Sequence, residues 1–127
     1  YIILGFLAVL SLASFGQSEP TTKVMPEFPG GEDAFYAYLD QKVVVPTGFD
    51  KEKYLEENKN QYVPILVGFS VDVDGSITDV RVIDGAAEAL DNKAKEIIEQ
   101  MPKWKPGEID GTPIQVQYAI PIRFNLM

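Results

Sequence analysis

The sequence predicts an α+β domain: a three-stranded antiparallel sheet in β-β-α-β order, one main helix packed on one face, and short helices ahead of it. Three stretches carry this. From Pro64 to Val73 the apolar residues Ile65, Val67, Phe69, Val71 and Val73 fall on every second position, and Asp74-Gly75 then offers a tight hairpin turn into Ser76–Ile83. Ala94, Ile97, Ile98 and Met101 form a helical stripe that Pro102 ends by lacking a donor. Ile114, Val116, Tyr118, Ile120, Ile122, Phe124 and Leu126 alternate again along the final stretch. A hairpin, a covering helix and a returning strand close one small core.

The first stretch, Tyr1 to Ala13, is almost continuously apolar, and no charge appears before Glu19. A bilayer-spanning helix needs about 20 apolar residues, and this run is shorter. Ser14 and Gly16 flank Phe15 and are followed by Gln17, a small-x-small pattern of the kind cut after export. Residues 1–16 are therefore expected to be a cleaved signal peptide, whose natural start lies a few residues upstream of Tyr1. The alternatives are an uncut membrane anchor and a buried core helix. Residues 17–27 are polar and carry Pro20 and Pro26, which predicts a flexible lead, and 28–127 are expected to form the domain.

Pro29-Gly30-Gly31 makes a turn into a helix whose first residues, Glu32 and Asp33, suit the helix dipole. Phe35, Tyr38 and Leu39 share one face of it. Val43-Val44-Val45-Pro46 is short and β-branched. Asp50 is expected to cap a second short helix through Lys59, with Tyr54 and Leu55 as its apolar anchors. In the return strand Val80 and Val82 share parity but Ile77 does not, which predicts a bulge near Thr78. Asp91 is read as the cap of the main helix. Trp104 is the single tryptophan, and a lone Trp in a small domain closes a core more often than it binds a ligand. The final run, Ile114 to Leu126, reads as one strand, and Pro121 places it at a sheet edge because proline cannot donate to a ladder.

Composition excludes more than it assigns. The chain of 127 residues has no His and no Cys, so Ser-His-Asp and Cys-His triads, Cys/His zinc sites and disulfides cannot be built. A formal net charge of −8 argues against nucleic acid and anionic lipid as partners. Asp72-Val73-Asp74-Gly75 fails as a calcium loop, since Ile83 stands where the twelfth-position Glu belongs. A carboxylate pair such as Asp79 and Asp84 could in principle do acid–base work, but nothing in the sequence gives them a shared pocket. The expectation is a non-enzyme with no cofactor, no metal and no small-molecule substrate.

A series of short motifs then points to a family. Phe28-Pro29-Gly30-Gly31, the run Gly68 to Ile77, Val80-Arg81-Val82, Leu90-Asp91 with Ala94, Met101 to Gly107 and Pro121-Ile122-Arg123-Phe124 occur in this order. From Pro26 to Leu126 the chain resembles the C-terminal domain of TonB-type energy transducers. The resemblance implies a periplasmic location in a Gram-negative envelope. It also implies docking of an extended TonB-box-like segment of an outer-membrane receptor beside the final strand, as in TonB-dependent transport. Carried onto this chain, the docking edge is Ile114, Gln115, Val116, Gln117, Tyr118, Ala119 and Ile120, with Phe69, Trp104, Pro106 and Gly107 as the structural motif. Backbone hydrogen bonds would supply affinity and alternate side chains selectivity. The rival readings are a membrane-anchored miniature transducer, if Tyr1–Phe15 is retained, and a homodimer that pairs the same edge with a second copy.

Overall fold

The computed structural model describes residues 7–10 and 22–127. The signal-peptide boundary near Gly16 lies outside the described residues. Along the chain come β1 (Leu7–Leu10), β2 (Lys23–Val24), α1 (Glu32–Lys42), α2 (Lys51–Asn58), β3 (Tyr62–Val71), β4 (Ile77–Asp84), α3 (Glu88–Glu99), β5 (Gly107–Ile109), β6 (Thr112–Ile114) and β7 (Val116–Asn125). The predicted α+β class is what the chain adopts. The hairpin β3–β4 and the returning β7 are antiparallel neighbours in the order β7-β3-β4, α3 packs on β3 and β4, and β1 lies outside β7 as a fourth strand. A second, smaller sheet has the order β2-β5-β6.

The alternation read in the sequence becomes the buried face. Val63, Ile65, Val67, Phe69 and Val71 of β3 meet Val116, Tyr118, Ile120, Ile122 and Phe124 of β7 in one core. Leu90, Ala94, Ile97 and Ile98 of α3 and Phe35 and Leu39 of α1 cover it. Tyr38 ties the two helices together, its hydroxyl donating to the Ile97 carbonyl at 2.7 Å. The expected bulge is present: the β3–β4 register shifts between Gly68 and Ser70, opposite Arg81 and Thr78. Asp79 takes a positive φ of 53° there, and its carboxylate and carbonyl both accept from Arg81.

Trp104 sits at the centre of an aromatic cluster, 4% exposed. Its ring centroid lies 5.5–5.8 Å from those of Phe28, Phe35, Phe69 and Tyr118. Its backbone is fixed as well, since the Trp104 N–H donates to the Gly75 carbonyl at 2.9 Å. The β3–β4 turn is thereby stitched to the segment after α3. Gly75 holds a φ of +86°, and a Cβ there would meet the Trp104 carbonyl oxygen, 1.9 Å away.

Four expectations change. Asp91 does not cap α3: the helix begins three residues earlier, and Asp91 reaches back to accept from the Ala86 N–H at 2.9 Å. The capping residue Ala87 has no side-chain bond of its own, so the carboxylate one turn in orders the chain ahead of the helix. The stretch read as a flexible lead is strand at Lys23–Val24, paired with Ile109 and Glu108 of β5. The final run is not one strand. A hairpin through Asp110 and Gly111, both at positive φ, returns β6 onto β5, and β7 begins only at Val116. At the break, Gln115 donates its side chain to Asp72 at 2.7 Å. Finally, β7 is not an open edge throughout, because β1 lies along Val116–Ala119. Asp50, by contrast, caps α2 as expected, accepting from the Lys53 N–H at 3.0 Å.

Two substitutions separate backbone strain from packing. Gly75→Ala is expected to cost roughly 2–4 kcal/mol in urea denaturation followed by circular dichroism, from left-handed strain plus displacement of Trp104. Gly111→Ala has the same strain at φ +81° but no atom within 4 Å of the added Cβ. It should cost only about 1 kcal/mol. Burial pushes the Tyr118 hydroxyl up to about 12 from its ordinary 10.0. Its contribution to stability is complete below pH 10 and is lost as pH rises from 10 toward 12, because the unfolded chain ionises first. Urea midpoints compared at pH 9 and pH 11.5 should fall less in Tyr118→Phe than in the parent.

Candidate peptide-docking edge

The direction of each backbone donor on β7 follows from its ladder with β3. The register runs unbroken from Tyr62↔Asn125 to Val71↔Val116. One residue beyond it, Leu126 donates its N–H to the Gln61 carbonyl at 2.8 Å. In an antiparallel pair the bonded positions recur every second residue. Val116, Tyr118, Ile120, Ile122 and Phe124 therefore turn their backbone groups toward β3. Gln117, Ala119, Pro121, Arg123 and Asn125 turn theirs away from it. The missing donor of Pro121 thus falls on the outer side, where β3 does not need it. Pro64 fits the same rule, facing away from β7 and past the last β3–β4 pair, Leu66↔Asp84.

The outer side already carries a strand. β1 runs antiparallel to β7, with Leu7 opposite Ala119, Ala8 opposite Tyr118, Val9 opposite Gln117 and Leu10 opposite Val116. By the same parity, Leu7–Ala119 and Val9–Gln117 are the bonded pairs. Beyond Ala119 the outer side of β7 borders a hollow of about 650 Å³ between the strand and the connector after α1. Val44, Val45, Lys51, Tyr62, Pro121 and Arg123 are among its walls. Val44 is 58% exposed, and the Arg123 guanidinium lies 4.7 Å from the centroid of the Tyr62 ring.

The residues expected to form the edge separate into two groups. Val116, Gln117, Tyr118, Ala119 and Ile120 lie together on β7. Ile114 belongs to β6 in the smaller sheet, and Gln115 bridges the two strands. Phe69 and Trp104 are core, and Gly107 opens β5 opposite Ile114. Pro106 lies just ahead of that strand, half-buried. Sequence reasoning missed the hollow beside Pro121. Its only signal was the β-branched run Val43-Val44-Val45, which has no partner strand in the sequence pattern.

Three of the four acidic residues weighed for chemistry are engaged at the β3–β4 turn and bulge. Asp72 accepts from Thr78 and Gln115, and Asp74 accepts from the Ser76 N–H. Those Ser76 bonds, with the Lys103 ammonium nearby, hold the Asp74 carboxyl below its usual range. Asp79 pairs with Arg81 at the bulge, while Asp84 lies at the far end of β4. No helix among the described residues is long and apolar enough to cross a membrane.

Residues 57–126 match the family described as Gram-negative bacterial TonB protein C-terminal. Neither the curated proteins nor the solved structures gave a match to the chain. The matched region spans more than half of the sequence and contains β3, β4, α3 and β7, the strands and helix that build the core and the edge. The chain belongs to the TonB C-terminal family.

Proposed function

We propose that this chain is an exported, periplasmic protein-binding domain, not an enzyme, that docks an extended peptide by β-augmentation on Val116–Ile120 of β7. The partner in this reading is a TonB-box-like segment of an outer-membrane receptor, and the setting is TonB-dependent transport. The observation that carries it is the outward set of backbone groups on β7, together with the antiparallel strand that this side accepts from Leu7–Leu10. Gln117 and Ala119 each offer one N–H and one C=O. At about 1 kcal/mol net per hydrogen bond, such a contact is weak enough to be made and broken repeatedly.

The leader has a definite consequence in this reading. Cleavage between Gly16 and Gln17 removes β1 and opens the side of β7 at Val116–Ala119. A retained anchor would place Leu7–Leu10 in the bilayer and clear the same stretch.

Gln117→Pro removes an outward N–H and leaves the β3 ladder intact. Binding of receptor plug peptides, followed by NMR titration, should fall at least about fivefold, the equivalent of one lost hydrogen bond. Its melting temperature should stay within a few degrees of the parent's. Tyr118→Pro, one residue on, removes a donor facing β3 together with a ring of the Trp104 cluster and should destabilise the fold by more than about 3 kcal/mol. Peptide shifts confined to α3 would count against the edge.

A further inference from the structure

We infer that the hollow beside Pro121 is a selectivity site for the docked segment, and that it takes an acidic residue followed by an apolar one on the segment's N-terminal side. The inference rests on the edge reading above and extends it to the chemistry of the partner.

Three observations carry it. The hollow is continuous with the outer side of β7, beginning where the β1 pairing ends. A segment running antiparallel, as β1 does, extends its N-terminal residues past Ala119 toward Pro121 and Arg123. At Pro121 the edge has no N–H to offer, so the ladder is weakest there and side-chain contacts must hold the segment. The walls set which contacts. Lys51 and Arg123 outnumber Asp40, a local positive balance on a chain of net charge −8. Opposite residues of neighbouring strands share a face. The residue four places before the one opposite Ala119 would therefore lie beside Arg123, where a carboxylate is favoured. The next residue points to the core side, toward Leu39 and Val43.

The test uses the full chain carrying Val9→Pro, which removes a β1 donor facing β7 and releases the edge. The probe is a fluorescein-labelled octapeptide, Glu-Val-Thr-Val-Leu-Ala-Val-Leu, whose second half copies β1 and sets the register. It is compared by anisotropy with the same peptide carrying Lys in place of Glu. The glutamate peptide should bind about three- to tenfold tighter at low salt, with the difference shrinking in 0.5 M NaCl. Lys51→Gln with Arg123→Gln should abolish the preference while circular dichroism shows an unchanged fold. A preference that survives the double substitution overturns the inference, as does equal binding of the two peptides. If both peptides bind equally and Gln117→Pro weakens both, the edge reading stands and only the selectivity site fails. If neither peptide binds, both readings fail.

Discussion

The ladder between β3 and β7 is the constraint on which the rest of the molecule depends. It runs without a shift over the full length of both strands. Because strand side chains alternate, an unbroken register sends Ile65, Val67 and Phe69 and their partners Ile122, Ile120 and Tyr118 to the same side. The same parity decides which backbone groups of β7 are consumed by the fold and which face outward. The core and the proposed docking edge are thus two consequences of one register, and a slip of one residue would disturb both.

Around that ladder, the aromatic cluster sets the geometry at one end. Trp104 touches the ring of Phe28 from the N-terminal turn, Phe35 from α1, Phe69 from β3 and Tyr118 from β7. Five segments of the chain converge on one packed site, and tilted and edge-on ring contacts favour this over a loose apolar pool. The bond from Trp104 to Gly75 extends the connection to the β3–β4 turn. Tyr118 belongs to both structures: its ring fills this cluster, while its strand neighbours Gln117 and Ala119 face outward. That stretch of β7 is therefore anchored in the core through Tyr118.

The two ends of the outer side differ in kind. At Val116–Ala119 the outer side presents backbone groups, which pair without regard to side-chain identity. Beyond Pro121, the hollow has apolar walls, with Lys51, Arg123 and Asp40 among them. In the proposed reading, a weak ladder joined to a selective hollow would bind transiently and still discriminate between partners.

The sequence by itself determined the class of fold, the faces of the strands and, to within two residues, the stop of the main helix. Each rests on a local period or a local steric rule: Val67, Phe69 and Val71 alternate, and Pro102 cannot donate. It also determined the absence of histidine and cysteine chemistry, and the ordered motifs carried the family. Tertiary structure decided what local rules cannot reach. Ile114 and Val116 have the same parity, so alternation alone could not show that they belong to different sheets; the β5–β6 hairpin and the bond from Gln115 to Asp72 divide them. Asp91 looked like a cap because its type favours caps, yet the bond to Ala86 depends on the path of the chain before the helix. Pro121 correctly marked a side of β7 that the central ladder leaves unused, but β1 is what borders part of that side. The hollow that follows is assembled by a connector some 80 residues away in sequence, a closeness that only the packing of α1 against the sheet creates.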